Sequence, residues 1–494
     1  MRARALLAAA LALAACSSAP RPPVAASPRP SEGDSSWFWL PEALRQRPDG
    51  LPSVPLAFDL PAPIIESLPD GATLYLLEDH AVPLVHVRAI ASVGSLDDPE
   101  GQEGLAAVLI ACMRAGGAGS LGPEDLDDAL ERSAMLLDAG TSDELSELAL
   151  DVRSADLERG LELFFDVLTR PRLEPKAVEA VLRRAREGVR RRGDDPSDLA
   201  SRAIFRALWG ARGPAREPSE ASLSRIGRAD LVALHARAFV PAGTRLLITG
   251  DFDPRLVHAA AARLSTSWPP RARAPRTFQG PPAAKPRQLI LLARPTAQSK
   301  VRIGQLGPAR RGPQEESLRL LDAVLGGAPG ASRLFNEIRD RRGLAYDVAS
   351  SIALGPMGGT VLVAADTRPE ATRELLERTL EVIEGVRGAA PVEARELALA
   401  KDAFVNSFAF RFDTAAKAAY ERAVHDALGY PPGYLATERD RILAITPDAV
   451  TEAARSALRP ESMQIVVVGD PAKLGDLSSF GPVRVIADIE ELRP

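Results

Sequence analysis

The sequence predicts an α+β protein built as two tandem α/β halves of like order, and three observations carry that expectation. Two matching strand ends, Ile248-Thr249-Gly250-Asp251 and Val467-Val468-Gly469-Asp470, lie about 220 residues apart. Ahead of each, apolar and alternating runs of strand length are followed by longer stretches of helical period, in the same order of types. Between the halves, Trp268 to Pro286 is rich in proline and sustains neither period, so it reads as a linker.

From about residue 60, Ala72 to Leu77 and Leu84 to Val93 read as strands, followed by helices near 102–115 and 123–134. Leu148 to Val152 is a further strand. Helical stretches follow near 155–168, 175–192 and 197–208, with Ser154 and Ser197 as N-caps and Pro175 in a first turn. A helix from Asp230 to Phe239 and a strand from Thr244 to Asp251 close the half. The second half repeats the order: strands near 287–293 and 300–306, a helix over 314–325, strands near 346–353 and 359–366, helices at 369–387 and 392–411, and a closing strand that ends at Asp470. The domain limits that follow are 59–267, the linker 268–286, and 287–494.

The 494 residues suffice for two domains with their own cores, and 46% hydrophobic with 26% charged residues is an ordinary globular balance. A net charge of −5 gives no electrostatic case for nucleic acid. The basic stretch Arg183 to Arg192 has no interleaved aromatic residue and reads as a solvated helix face. Met1-Arg2-Ala3-Arg4 and the apolar run Ala5 to Ala15 have the form of a secretory signal, too short to span a bilayer. That signal ends in Leu13-Ala14-Ala15-Cys16, which resembles a bacterial lipobox with Cys16 as the lipidated residue. The expectation is a signal over 1–16, a Pro/Ser/Ala-rich tether over 17–58, and a chain held by lipid in the bacterial cell envelope, on the periplasmic face of the outer membrane. Within the tether, Trp37-Phe38-Trp39-Leu40 reads as a segment that docks on the body. Cys112, the other cysteine, reads as a small buried hydrophobe. The five histidines, His80, His86, His235, His258 and His425, are read as structural.

Gly94-Ser95-Leu96-Asp97-Asp98-Pro99-Glu100-Gly101-Gln102-Glu103-Gly104-Leu105-Ala106 resembles the loop leading into the H-x-x-E-H helix of the insulinase/pitrilysin family, the inverted zincins. The family places His, Glu and His where this chain has Ala107, Ile110 and Ala111, and its remaining glutamate ligand aligns near Gly188. A catalytic zinc needs about three His, Glu or Cys ligands plus an open position, and these residues supply none. The second half carries a further family signature, Leu325-Gly326-Gly327-Ala328-Pro329-Gly330-Ala331-Ser332-Arg333-Leu334-Phe335-Asn336-Glu337-Ile338-Arg339, continued by Asp340-Arg341-Arg342-Gly343-Leu344-Ala345-Tyr346. The glycine-rich turn lacks the Lys-Ser or Lys-Thr of a phosphate loop and reads as a helix end with positive-φ glycines.

The resemblance implies two tandem domains, each a mainly antiparallel sheet packed against helices. It implies that Arg339 and Tyr346 reach toward a substrate carbonyl, where a guanidinium fork and a phenol can hold a developing oxyanion. With no catalytic or metal-binding residue of its own, the chain is expected to be the non-catalytic subunit of a two-chain zinc metallopeptidase. A homologous H-x-x-E-H subunit would carry the zinc and complete a heterodimer that encloses peptide or unfolded protein. The alternative is a peptide-binding or scaffold lipoprotein without proteolytic activity.

Overall fold

The computed structural model describes residues 61–328 and 330–492. The signal, the lipobox Cys16, the tether and Trp37 to Leu40 lie outside the described residues. In the first half, strands β1 (Ile64–Ser67), β2 (Thr73–Glu78), β3 (Leu84–Ala91), β4 (Leu136–Thr141), β5 (Ser146–Arg153) and β6 (Thr244–Gly250) form one sheet in the order β1-β2-β6-β3-β5-β4. In the second, β7 (Gln288–Ala293), β8 (Ser299–Gly307), β9 (Ala345–Ala353), β10 (Gly359–Thr367), β11 (Gln464–Gly469) and β12 (Val483–Ile486) follow the order β12-β7-β11-β8-β10-β9. The five strands from β2 to β6 thus have counterparts in β7 to β11 at the same sheet positions. Pairing is mainly antiparallel, with β2/β6, β7/β11 and β12/β7 parallel.

Helices of the first half are α1 (Leu105–Ala115), α2 (Pro123–Arg132), α3 (Leu157–Thr169), α4 (Pro175–Arg191), α5 (Pro196–Trp209), α6 (Glu220–Ser224), α7 (Arg228–Ala238) and α8 (Pro254–Ser267). Those of the second are α9 (Glu315–Asp322), α10 (Thr372–Val386), α11 (Ala394–Arg411), α12 (Ala415–Ala427), α13 (Tyr434–Ala444), α14 (Pro447–Ala457) and α15 (Pro471–Leu474). Period-2 burial along β5, where Ser146, Leu148, Leu150 and Val152 are buried, aims alternate residues at the helix layer of the same half. In the second sheet Val301, Ile303, Val361, Val363, Ile465 and Val467 do the same.

The opposite faces are covered by helices exchanged between halves. Helix α5 lays Ala200, Ala203, Ile204 and Ala207 on Ile290, Leu292, Val466 and Val468 of the second sheet. Helix α12 lays Ala419 and Ala423 on Tyr75, Ile90 and Leu247 of the first. Small residues on both helices let the backbone approach the sheet closely. Polar bonds fix the exchange: Tyr75 donates to Asp426 at 2.8 Å, Tyr420 donates to Glu147 at 3.0 Å, and Arg302 donates to Ser197 at 2.5 Å. Arg310 adds a bidentate, largely buried ion pair to Glu144 across the halves.

Several local expectations are corrected. Asp195, not Ser197, caps α5, accepting from the Ser197 amide at 2.7 Å, because Pro196 takes the first helical position and leaves Ser197 inside the first turn. Ser154 caps nothing and donates to Asp251 at 2.8 Å. The helix expected over 314–325 is α-helical only to Asp322 and continues as a π turn over Ala323–Gly327. Of the glycines after it, Gly330 has φ +77 but Gly326 and Gly327 do not have positive φ. Gly326 is required instead by close approach, since a Cβ there would sit 2.5 Å from the Ser350 amide nitrogen of β9.

Candidate functional site

In the first half, the loop before α1 is tied down by Asp98, which is 5% exposed and accepts from the Gly104 amide at 2.7 Å and the Ala106 amide at 2.8 Å. Burial pushes its carboxyl up to about 6, against those two bonds and Arg216. Arg216 also donates to the carbonyls of Asp98 and Pro99 and to Glu103 at 3.1 Å, and Arg276 pairs with both carboxylate oxygens of Asp97, so the acidic loop is a helix start held by two arginines. Gly104 enters α1 with φ +101, and its packing against Pro218 and Leu223 leaves no comfortable room for a side chain.

On α1 the four-residue spacing aligns Ala107, which is exposed, with Ala111, which is half-buried. Ile110 points inward and is 3% exposed in the core with Val108 and Leu109. Helix α4 packs beside α1 through Ala185 and Val189 and presents Gly188 to open space, with no atom within 4 Å of where its Cβ would lie. The positions that the sequence resemblance assigns to metal ligands are thus two methyl groups and a bare backbone, and the position it assigns to the base is a core isoleucine. That donor set does not fit a zinc ion, and among the described residues no group of three or more His, Cys, Asp or Glu could hold a metal. Cys112, on the same helix, is fully buried, and burial pushes its thiol up to about 12. The histidines are separately engaged: His80 with Asp251 at 2.6 Å, His86 with Asp151 at 2.6 Å, His235 with the Leu168 carbonyl at 2.9 Å, His258 with Glu66 at 3.0 Å and His425 with the Glu421 carbonyl at 2.7 Å.

Beside α1 runs β4, whose outer edge has no strand partner among the described residues. The sequence reading missed it, because Leu136-Leu137-Asp138-Ala139-Gly140-Thr141 has little β-branching and a glycine. Its counterpart at the edge of the second sheet is β9.

Tyr346 stands near the start of β9 and is 83% exposed. The register of β9 on β10 slips there: Ala345 pairs with Thr367 and Val348 with Ala365, so Tyr346 and Asp347 together oppose Asp366. Such a bulge at a sheet edge turns a side chain out of the regular alternation. Arg339 lies in a second π turn, Phe335–Asp340. A π turn shifts the residues after it around the helix axis, and the guanidinium carbon of Arg339 comes to lie 4.6 Å from the Phe335 ring centre and 4.9 Å from that of Tyr346. Arg339 is in no ion pair among the described residues, whereas Arg341 and Arg342 are both held by Glu337, Arg342 also by Glu374. Two rings therefore hold one planar cation whose N–H edges remain available. Phe335 went unread in the sequence, although an aromatic residue four positions before Arg339 on a helix was a signal for it.

Neither constellation lies in the cleft of about 1400 Å³ between the halves that is lined by Phe205, Trp209, Phe278 and Met357 among others.

Residues 75–214 match the family model described as insulinase, peptidase family M16, and residues 225–404 match the model described as peptidase M16 inactive domain. Over 268 residues the chain is 31% identical to an uncharacterized zinc protease of Mycobacterium bovis, covering 53% of this chain and 60% of that protein. It is 28% identical over 413 residues to coenzyme PQQ synthesis protein F of Pseudomonas aeruginosa, covering 80% of this chain and 48% of that one. This chain thus spans only part of the length of the curated relatives it matches. A Helicobacter pylori protease has the same fold (TM-score 0.75, 18% identity, 83% of this chain and 100% of that chain). So does the periplasmic protease PqqL of Escherichia coli (TM-score 0.70, 17% identity), with 85% of this chain matching 48% of the longer one.

Proposed function

Since the chain belongs to the insulinase family of peptidases, we propose that it is the subunit of a two-chain zinc metallopeptidase that positions peptide and leaves metal chemistry to a homologous H-x-x-E-H partner. The observation that carries this reading is the contrast between its two family sites. The metal positions Ala107, Ile110, Ala111 and Gly188 offer no ligand, while Arg339 is held open between Phe335 and the exposed Tyr346. A side chain kept for stability alone would gain from a carboxylate partner; a guanidinium stacked on two rings with free N–H edges is arranged to donate to something outside the chain. On this reading Arg339 and Tyr346 donate to the scissile carbonyl as negative charge develops on its oxygen. The edge of β9, which has no strand partner among the described residues, holds the peptide by strand addition. That this chain matches about half the length of two longer relatives accords with a second subunit of similar size. The lipid on Cys16 would hold the pair at the cell envelope, and Cys16→Ser should release the protein from membranes.

The test is reconstitution with the H-x-x-E-H homologue of the same organism. Purified alone, the chain is expected to carry no stoichiometric zinc and to cut no peptide. In the reconstituted pair, Arg339→Ala and Tyr346→Phe should each lower kcat/KM by about ten- to a hundredfold with assembly intact. Unchanged turnover would remove the assignment.

A further inference from the structure

Strands β4 and β9 stand at corresponding edges of their sheets, and each turns back by a short hairpin, 142–145 after β4 and 354–358 after β9. Arg310, in the loop that joins β8 to α9, bonds to both turns. Its guanidinium makes the bidentate ion pair with Glu144 of the first. Its main-chain N–H donates to the Gly355 carbonyl of the second at 3.0 Å, beside a bridge from Ala309 to Gly355. The first turn is itself tied to the acidic loop ahead of α1, since the Ser95 and Leu96 amides donate to the Ser142 and Asp143 carbonyls at 3.0 Å each.

The backbone next to Arg310 is bent to suit this contact. Arg311 has φ +60, a left-handed conformation unfavourable for a residue with a Cβ. It sends the two neighbouring side chains to different elements: Arg310 to Glu144, and Arg311 to the Gly429 carbonyl at 2.8 Å, just past α12, the helix that the second half lays on the first sheet. Both members of the Arg310–Glu144 pair are largely desolvated, at 8% and 12% exposed, and Arg310 Nε is buried with no hydrogen-bond partner among the described residues. A buried ion pair returns little net stability over an apolar pair of like volume, because desolvation offsets the attraction. What it supplies is direction, since two parallel N–H···O bonds fix a guanidinium against a carboxylate in one geometry. The joint also borders the cleft of about 1400 Å³, which is lined by Glu144 and by the β9–β10 turn and keeps the facing surfaces of the halves apart there.

We propose that Arg310 and Glu144 are positioning residues: their pair fixes the angle between the halves, and with it the place where the second half presents Arg339 and Tyr346. Tyr346 stands seven residues from Ala353 at the turn end of β9, about 23 Å at about 3.3 Å per residue. A rotation of about 10° at the joint therefore carries it about 4 Å, and a displacement of about 1 Å can cost about a hundredfold where reacting groups must be aligned. This inference rests on the reading above that Arg339 and Tyr346 meet a carbonyl, although the joint itself does not depend on it.

The test replaces the pair by apolar side chains, Arg310→Met with Glu144→Leu, so that no charge is left buried and unpaired. Spin labels at Asp138→Cys on β4 and Asp347→Cys on β9, both exposed, report the distance between the halves in the full chain with Cys16→Ser, where Cys112 is buried. The double variant is expected to melt within a few degrees of its parent while its distance distribution broadens by about 5 Å or more. Reconstituted with the H-x-x-E-H partner and without labels, it should lower kcat about tenfold with KM changed less than about twofold. Glu144→Gln, isosteric but with one acceptor in place of two, should broaden the distances less and in the same sense, which tests the joint even where the double variant folds poorly. Unchanged distances overturn the proposal, whatever the stability of the variants. Broadened distances with full turnover also overturn it when Arg339→Ala is impaired; when Arg339→Ala too retains full turnover, the reading of that pair fails and the positioning role with it.

Discussion

Placing ligands at the positions that the sequence resemblance assigns to a zinc site is the sharpest test of that assignment. The perturbation is the triple substitution Ala107→His, Ala111→His and Gly188→Glu, with the buried Ile110 left in place. Ala107 is exposed, Ala111 is half-buried and nothing lies within 4 Å of a Cβ built at Gly188, so all three side chains fit without moving the core. Each Ala→His loses up to about 0.7 kcal/mol of helix propensity, and Gly→Glu regains about 0.5 to 1 kcal/mol, so the apo variant should lie within about 1 kcal/mol of the parent. Zinc at a hundred times its Kd then adds about 2.7 kcal/mol to the folded state, read as a rise of a few degrees in Tm. The assay is metal analysis after gel filtration, with melting curves taken with zinc and with chelator. One zinc per chain and a zinc-dependent Tm are expected for the variant and neither for the parent. A folded variant that takes up no stoichiometric zinc would falsify the assignment of Gly188 as the third position. The variant should still cut no peptide alone, because Ile110 cannot serve as the base.

Other expectations follow from the same contacts. Leu247→Ala, at a residue 1% exposed between the first sheet and α12, should destabilise the protein by about 2–5 kcal/mol by opening a cavity. Tyr75→Phe should cost only about 1 kcal/mol in urea unfolding, since Asp426 keeps Arg422 at 2.9 Å; a loss as large as that of Leu247→Ala would contradict this. Burial raises the Asp98 carboxyl from 3.8 to about 6 in the folded protein, so between those values the native state holds a proton that the unfolded chain releases. Its contribution is therefore most favourable below about pH 4 and declines by on the order of 3 kcal/mol as pH rises through 6. Asp98→Asn should flatten that slope, and parallel pH profiles for the two proteins would refute the argument. Gly326→Ala should drive β9 away from the π turn through contact with Ser350, giving faster amide exchange along β9 and weaker peptide turnover by the pair.

The sequence by itself determined most elements and the tandem order, because burial of one face imposes periods of 2 and 3.6 that survive in residue type. It also determined what the first half lacks, since Ala107, Ile110, Ala111 and Gly188 carry no donor in any conformation. The tertiary structure decided what those local patterns do not encode. The exchange of α5 and α12 between the sheets is a long-range packing choice, made by small faces such as Ala200, Ala203, Ala419 and Ala423 that look like ordinary helix interiors in sequence. The edge strand β4 has weak propensity and exists because α1 and β5 support it. The stack of Phe335, Arg339 and Tyr346 needs a π turn and a β-bulge, two single-residue departures from regular geometry that rotate side chains without altering the hydrophobic pattern. Backbone register, which residue types alone do not reveal, makes these two separate motifs one site.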